Sequence, residues 1–341
     1  MTCDEIVRAG AGERYTGAVL RVERAGMAVF ERAYGRLAAA PGERNIEVTT
    51  RFDLASLTKV FVSTIALAAV DAGRLALDEL LTDWFPTWRG TAHEPISLRM
   101  LLAHISGMQS GADYRKLIFE NVERFARECP LVAEPGERVI YSDIGFIVLG
   151  ELLARCYGRS LATIMNECAA RLNLEATGFR ARNDDPIVFP ATEEDDWRGR
   201  IRGCVHDEKA YLMNGVAGHA GLFGTAVDVA KLAEAYLGVL HGRGGSVLSP
   251  ALALEAIVEH GADSVLRRGL GWALKTSDEN SCGALMTRAT FGHTGFTGTV
   301  VWADPVRDLC VVLLTNAVYY GRHDLRDLRA AVCDAAVREF G

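Results

Sequence analysis

The tetrapeptide Ser56-Leu57-Thr58-Lys59 combines a potential nucleophile with an amine at a spacing suited to covalent chemistry. Residues three apart share one face of a helix, so Lys59 can reach the hydroxyl of Ser56. At the start of that helix, Ser56 would lie among unpaired backbone N–H groups, which favour a developing negative charge. The following residues are apolar, and burial among them is expected to lower the pKa of Lys59 and make it a base. The spacing therefore predicts acyl transfer to a serine hydroxyl.

Two further motifs downstream strengthen the catalytic interpretation of Ser56 and Lys59. A serine three residues before a lysine also arises by chance, and Ser56 could simply cap a core helix while Lys59 points to solvent. The segment Tyr141-Ser142-Asp143, however, precedes a predicted helix, and His293-Thr294-Gly295-Phe296 precedes a strand. The Gly-x-Ser-x-Gly elbow, the Walker loop and the His-Glu-x-x-His motif of other enzyme classes do not occur.

With these three motifs in this order, the chain resembles the serine β-lactamase and penicillin-recognising superfamily, whose boxes are Ser-x-x-Lys, Tyr-x-Asn and Lys-Thr-Gly. It is most similar to the class C β-lactamase-like branch, which also includes esterases and D-aminopeptidases. Residues 101–107, Leu-Leu-Ala-His-Ile-Ser-Gly, resemble a further segment of that branch, as do residues 205–208, 215–223 and 269–272. The resemblance covers about residues 15–320, nearly the whole chain.

The resemblance implies a role for each matching residue. Ser56 is the expected nucleophile, and Lys59 and Tyr141 are expected to share its proton, with Tyr141 as a phenolate-like base held by nearby positive charge. The backbone N–H groups of Ser56 and Phe296 are expected to form an oxyanion hole, since Phe296 follows the third box on an edge strand. That strand is also expected to offer backbone hydrogen bonds to an extended acyl substrate.

Two substrate-binding positions depart from the resembled pattern. Asp143 stands where the family has asparagine, and His293 stands where it has the lysine that precedes Thr294 and Gly295. Asparagine both donates and accepts hydrogen bonds, whereas a carboxylate only accepts. A histidine is only partly charged near neutrality and is a weaker carboxylate anchor than lysine. The resemblance thus implies an ester or amide hydrolase rather than an efficient penicillinase, because His-Thr-Gly occurs in esterase and peptidase members.

Composition excludes several other classes of protein. The 341 residues carry a net charge of -7 without a basic run, which disfavours nucleic-acid binding. The N-terminus has no secretory signal and no apolar run could span a membrane, so we expect a cytoplasmic protein. Eight cysteines are scattered without metal-site spacing, so we expect reduced thiols, no metal and no cofactor. The oligomeric state stays open.

The hydrophobic pattern predicts an α/β fold of the α+β type. Hairpins are expected over residues 16–35 and 297–315 and a closing helix over 325–340, so both termini would build one antiparallel sheet flanked by helices. Between them, helices are expected over 56–72, 98–104, 144–157 and 161–172, and another is expected to begin at the cap Thr225. We expect one unit over residues 1–341, with a sheet part (about 1–55 and 260–341), a helical part (about 56–259) and the active site in the cleft between them.

The functional prediction is a serine hydrolase that cleaves an ester or amide of a small molecule through an acyl-enzyme on Ser56. Three alternatives remain at this stage: a β-lactamase or D,D-peptidase acting on cell-wall-like amides, an acyltransferase, and a catalytically silent binding module. The sequence leaves the roles of His206, Asp207 and His219 open between lining the cleft and supporting the fold.

Overall fold

A computed structural model describes residues 1–179, 188–243, 247–261, 263 and 266–341. Its strands are β1 (Gly17–Arg24), β2 (Met27–Gly35), β3 (Phe52–Asp53), β4 (Gly178–Phe179), β5 (Ala191–Asp195), β6 (Gly199–Arg202), β7 (Leu222–Gly224), β8 (Ala273–Leu274), β9 (Phe291–Thr294), β10 (Val300–Asp304) and β11 (Leu309–Thr315). Its helices are α1 (Cys3–Gly10), α2 (Thr58–Asp71), α3 (Leu98–Leu102), α4 (Tyr114–Leu117), α5 (Val122–Glu128), α6 (Asp143–Tyr157), α7 (Leu161–Arg171), α8 (Glu208–Leu212), α9 (Ala226–Leu240), α10 (Pro250–Ala256) and α11 (Arg326–Phe340). Short 3-10 turns occupy Ala55–Leu57, Pro86–Trp88 and Ala317–Tyr320.

The main sheet is antiparallel and contains strands from both ends of the chain. Its order is β2-β1-β11-β10-β9-β8, so β1 near the N-terminus pairs with β11 near the C-terminus. The two predicted hairpins correspond to β1–β2 and β10–β11. This arrangement confirms the predicted fold class, an antiparallel sheet flanked by helices and joined to a helical region.

Both faces of the central strand β11 are buried. The alternating residues of β11 divide between two cores: Val311 and Leu313 join the core beneath α1 and α11, whereas Val312 and Leu314 join the larger core that contains α2 and α9. A strand covered on both faces reads as a continuous apolar run, as Leu309–Thr315 does. Helix α9, which lies within the predicted helical part, packs directly on β1, β10 and β11.

The helical region is built around α2 and α6. Helix α2 is apolar nearly all round, and 12 of its 14 residues are buried, which is typical of a central core helix. Helices α6 and α7 pack against it and match the predicted boundaries within one residue. Thr225 caps α9 by accepting a hydrogen bond from the Asp228 backbone N–H, as predicted. Within the described ranges, no helix is both long and apolar enough to cross a membrane.

A small sheet connects the helical region to the start of α2. Strand β3 pairs with β7, and β7 pairs with β4. Because β3 ends three residues before Ser56 and β7 begins three residues after His219, this sheet fixes both segments at the entrance of α2. The glycine-rich run that precedes β7 is packed tightly, since a Cβ on Gly218 would lie 1.9 Å from the carbonyl oxygen of Phe146 in α6.

Candidate active site

Ser56 lies in a constrained 3-10 turn rather than within the regular helix that was predicted to begin there. The preceding residue, Ala55, has φ of 47°, a left-handed conformation that residues other than glycine seldom adopt. The Asp53 carboxylate stabilises this turn, because its Oδ1 accepts a hydrogen bond from the Ala55 N–H at 2.9 Å. Its Oδ2 accepts from the backbone N–H of His206 at 2.7 Å. This buried carboxylate therefore ties the nucleophile turn to the segment before α8.

The loop after β9 is attached to the same turn. The hydroxyls of Thr297 and Thr299 donate to the carbonyl oxygens of Asp53 and Leu54, at 2.8 and 3.1 Å. Gly295 fits between them only without a side chain: a Cβ there would lie 2.0 Å from Thr299 Oγ1 and 2.7 Å from Leu54 O. The His-Thr-Gly motif is thereby held against the chain that carries Ser56.

Two backbone donors beside the nucleophile are available to a ligand. Among the described residues, neither the N–H of Ser56 nor that of Phe296 has a hydrogen-bond acceptor. The prediction that the third box lies on an edge strand is wrong, since β8 lies outside β9. Strand β8 is only two residues long, however, and it pairs with Phe291 and Gly292. The ladder stops there because β8 is short, so the outer side of Thr294 is not covered by it.

Lys59 is completely buried, and its ammonium group makes three hydrogen bonds. Its Nζ donates to Ser56 Oγ at 3.1 Å, to Asp143 Oδ1 at 2.8 Å and to the His219 carbonyl oxygen at 3.1 Å. Three acceptors match the three donors of a protonated amine. Burial acts to lower the pKa of Lys59, but the negative charge of Asp143 and the nearby Tyr141 raise it overall. The expectation of a lysine neutralised by burial is therefore wrong.

Asp143 belongs to a network of alternating charges behind Lys59, which we call the polar network. Its second carboxylate oxygen lies 3.2 Å from Lys209 Nζ, and that ammonium lies 3.3 Å from Asp207 Oδ2. His219 Nε2 donates to Asp207 Oδ1 at 2.8 Å. Burial would raise the pKa of Asp143, but Lys59 and the other cations of the network lower it. Both oxygens of Asp143 thus face ammonium groups, and the residue does not line the cavity in front of Ser56.

The polar network also contains a set of side chains able to bind a metal. One ligand atom each from Asp143, Asp207 and His219 lie within 4.8 Å of one another. Two ammonium groups, those of Lys59 and Lys209, already contact these carboxylates, and a divalent cation would have to displace them. The donor set therefore fits an internal ion-pair network better than a metal site.

Tyr141 precedes α6, and its ring lies among basic groups. The ring centroid is 4.9 Å from Lys59 Nζ and 5.2 Å from the guanidinium carbon of Arg268. On another side the ring of His104 lies 4.7 Å away. His104 Nδ1 accepts the backbone N–H of Ser142 at 3.0 Å, which is a structural contact at the start of α6. Tyr141 and Ser56 line one cavity.

His293 is buried on β9 and neutral near pH 7. Its Nδ1 donates to the Thr294 carbonyl oxygen at 2.8 Å, so Nε2 is the acceptor nitrogen. Burial and the positive charges of Arg268 and Lys59 hold the pKa of His293 well below its usual range. The expectation that this histidine is partly charged near neutrality is therefore wrong. Among the described residues, its Nε2 has no hydrogen-bond partner.

A cavity of about 510 Å³ opens in front of Ser56. The predicted residues that line it are Ser56, Tyr141, His293, Thr294, Gly295 and Phe296. Phe296 is 55% exposed, and its ring lies between His206 and the guanidinium of Arg322. Sequence reasoning missed Arg268, Lys209 and Asp53, because none of them stands at a recognisable spacing from the three motifs. The segment 205–208 pointed to the region of Lys209, but not to that residue.

Comparison with known proteins places the chain in a family. A family model described as Beta-lactamase matches residues 4–335. An N-acetylmuramyl-L-alanine amidase of Bacillus subtilis (strain 168) is 29% identical over 358 residues, which cover 92% of this chain and 80% of the relative. A putative D-alanyl-D-alanine carboxypeptidase of Escherichia coli O157:H7 is 30% identical over 346 residues, covering 89% and 78%. The chain belongs to the beta-lactamase family of serine hydrolases.

A solved structure supports the same architecture. EstCE1, described as a hydrolase with promiscuous acyltransferase activity, superimposes with a TM-score of 0.80. The match covers 98% of this chain and 97% of that one at 22% sequence identity. At that identity the likeness defines the fold alone. The predicted recognition of the family and the predicted serine hydrolase class are confirmed.

Proposed function

We propose that this protein cleaves an ester or amide bond of a small molecule through an acyl-enzyme on Ser56. The observation that carries the proposal is the position of Lys59, whose Nζ donates to Ser56 Oγ at 3.1 Å beside the cavity that Tyr141 also lines. A lysine completely buried and bonded to a serine at the cavity wall is costly to maintain for structure alone, which favours a chemical role.

Tyr141 is the proposed general base. Lys59 carries its proton in the resting protein, because Asp143 and two further acceptors surround it, and so it is unsuited to accept another. Its ammonium group lies 4.9 Å from the ring centroid of Tyr141, where its positive charge would stabilise negative charge on the tyrosine oxygen during the reaction. Tyr141 then takes the Ser56 proton as Oγ forms its bond to the acyl carbon, and it returns that proton to the leaving alcohol or amine. In the second half of the reaction, Tyr141 takes a proton from water as the water oxygen attacks the acyl carbon. Tyr141 then gives that proton to Ser56 Oγ as the bond between Oγ and the acyl carbon breaks.

The remaining predicted residues hold the substrate. The N–H groups of Ser56 and Phe296 would stabilise the oxyanion, and their lack of acceptors among the described residues supports this role. The uncovered side of Thr294 and Gly295 would pair with an extended acyl group. His293 Nε2 would accept a hydrogen bond from a substrate N–H or O–H. For Asp143 we propose a positioning role through Lys59 in place of direct substrate contact, because both its oxygens face ammonium groups.

The substrates we propose are small esters and amides that bear a hydrogen-bond donor near the scissile carbonyl. The names of the two curated relatives, an amidase and a putative carboxypeptidase, favour amides of the cell-wall type within this class. A neutral His293 and a fully engaged Asp143 disfavour β-lactams, whose carboxylate and amide side chain need the lysine and asparagine that these residues replace. We therefore expect kcat/KM to be higher for p-nitrophenyl butyrate or a D-amino-acid amide than for the β-lactam nitrocefin. A higher kcat/KM for nitrocefin would contradict this expectation.

Labelling with a fluorophosphonate tests the nucleophile. We expect mass spectrometry to locate one adduct on Ser56, and we expect Ser56→Ala to abolish it together with ester hydrolysis. Ser63→Ala is the matched control, because Ser63 is a buried serine of α2, the helix that follows Ser56, and does not line the cavity. That variant should be labelled on Ser56 as the wild type is. Labelling that persists in Ser56→Ala would refute the assignment.

A further inference from the structure

Arg268 is a buried cation for which the described part of the chain provides no counterion. The residue is 9% exposed, lines the cavity of Ser56 and lies in a backbone bridge to Ala273 at the start of β8. Its guanidinium carbon is 5.2 Å from the ring centroid of Tyr141. Among the described residues it forms no ion pair, and its Nε and Nη1 have no hydrogen-bond partner. A buried charge without a partner is expensive, so its retention here calls for a function.

The basic side chains around Tyr141 differ in whether they carry a positive charge at neutral pH. Two histidines, His104 and His293, face the tyrosine ring, but burial and the charges of Arg268 and Lys59 hold the pKa of each well below its usual range. Neither histidine therefore contributes positive charge at neutral pH. Among the residues that the structure describes, the two cations beside the ring are Lys59 and Arg268.

These two cations differ in what balances them. Lys59 is paired with Asp143 at 2.8 Å, so its charge is largely matched from behind the site. Arg268 has no carboxylate partner in the described ranges, and Tyr141 is the acidic group whose ionisation would match it. The uncompensated positive potential at the tyrosine therefore originates from Arg268. Arg268 belongs to a segment outside all three motifs. The corresponding position of the third motif holds His293 on β9, which is neutral and contributes no positive charge.

We propose that Arg268 is a positioning residue whose charge stabilises the phenolate form in which Tyr141 acts as general base, and so supplies the positive charge that His293 does not. This inference rests on the proposed function of Tyr141 as general base. Arg268 exchanges no proton in the reaction. The proton of Ser56 passes to the Tyr141 oxygen while the Oγ–carbon bond forms, and then to the leaving oxygen or nitrogen as its bond to carbon breaks.

The test is the pH dependence of kcat/KM for p-nitrophenyl butyrate, a neutral ester, in wild type, Arg268→Gln and Arg268→Lys. Removing an opposite charge at about 4–6 Å moves an ionisation by about 1–3 pH units. In the pH profile of kcat/KM, we expect the acid limb of Arg268→Gln to move to higher pH by that amount. At pH values below the limb, kcat/KM should be about tenfold lower than in the wild type for each pH unit of the shift, with KM unchanged. Arg268→Lys keeps the charge and should restore most of the wild-type profile.

Arg322→Gln is the matched control, because Arg322 lines the same cavity but is paired with Glu193 and Glu208. Its loss should leave the acid limb in place. An unmoved limb in Arg268→Gln, or a loss confined to the KM of carboxylate-bearing substrates, would overturn the inference and make Arg268 a substrate anchor.

A second measurement covers the case in which Arg268→Gln does not fold. The ultraviolet difference spectrum between wild type and Tyr141→Phe should show one tyrosinate near neutral pH, and Arg268→Lys should retain it. A spectrum without tyrosinate below pH 9 would overturn the inference. Failure of Ser56 to label would instead refute the proposed function, so the two failures are distinguishable.

Discussion

Replacing Asp143 by asparagine tests how the polar network controls Lys59. The change removes one negative charge from a position 2.8 Å from Lys59 Nζ and preserves the shape of the side chain. Lys59 would keep Ser56 Oγ and the His219 carbonyl oxygen as acceptors, but both are neutral. Lys209 would lose a partner as well, and its ammonium would then repel that of Lys59.

The magnitude follows from the balance between burial and attraction. Two unit charges 2.8 Å apart attract each other by about 6 kcal/mol at an effective dielectric constant near 20. Burial of an ammonium group costs several kcal/mol, and in the wild type the attraction exceeds this cost, because the pKa of Lys59 is raised overall. Without Asp143, only the nearby Tyr141 still opposes the cost of burying the ammonium group. We therefore expect Lys59 to lose its proton about 1–3 pH units earlier in the variant.

The assay is kcat/KM for a neutral p-nitrophenyl ester between pH 6 and 10. Loss of the Lys59 charge removes a cation beside Tyr141, so the alkaline limb of Asp143→Asn should move to lower pH by about 1–3 units. Asp228→Asn is the matched control: Asp228 is a buried carboxylate that accepts from Ala176 N–H and the Thr177 hydroxyl, each at 2.9 Å. That variant should lower Tm without moving the limb.

Two results would refute this reasoning. An unchanged pH profile in folded Asp143→Asn would show that the carboxylate does not control the protonation of Lys59. A decrease in kcat/KM of equal size at every pH, caused by a higher KM, would instead indicate that Asp143 contacts the substrate directly. That is the role implied by the asparagine that the resembled family has at this position.

Three further predictions follow from the same geometry. Because His104 and His293 are buried and neutral, only the unfolded chain takes up their protons below about pH 6.5. The free energy of unfolding measured in urea should therefore fall, as the pH is lowered, by up to about 1.4 kcal/mol per histidine per pH unit. If His293→Asn leaves the dependence of this free energy on pH unchanged, the prediction for His293 is contradicted. Gly295→Ala would place a Cβ 2.0 Å from Thr299 Oγ1, so kcat should fall about 10²–10³-fold as the Phe296 N–H moves; unaltered kcat would argue against the oxyanion hole. Tyr141→Phe should reduce kcat about 10²–10⁴-fold with little change in KM, and near-normal turnover would exclude it as the base.

Local signals were sufficient for the two hairpins of the main sheet and for the longer helices. The hairpins are marked by apolar alternation and tight turns, and β1–β2 and β10–β11 form as predicted. Helix caps such as Thr225 act over three or four residues and were also readable. The pairing of β3 with β7 and the two-residue strand β8 were not predicted, because pairs this short leave no periodic pattern.

The sequence by itself determined the centre of the candidate site, because Ser56, Tyr141 and His293 of the three motifs line one cavity. Ser56 and Lys59 are neighbours because three residues along a 3-10 or α-helical turn make about one full turn, which is a local geometry. The order of the three motifs and the pattern of strands at both termini likewise defined the fold class and the enzyme family.

Only the tertiary structure decided the charge states of those residues. The apolar sequence around Lys59 predicted a neutral amine, but Asp143, 84 positions away, holds it protonated. His293 looked titratable, yet burial beside Arg268 keeps it neutral. The physical reason is that a pKa reflects the difference between the cost of burial and the attraction of charges within a few ångströms. Those charges come from segments that only the folded chain brings together, and no local spacing encodes them.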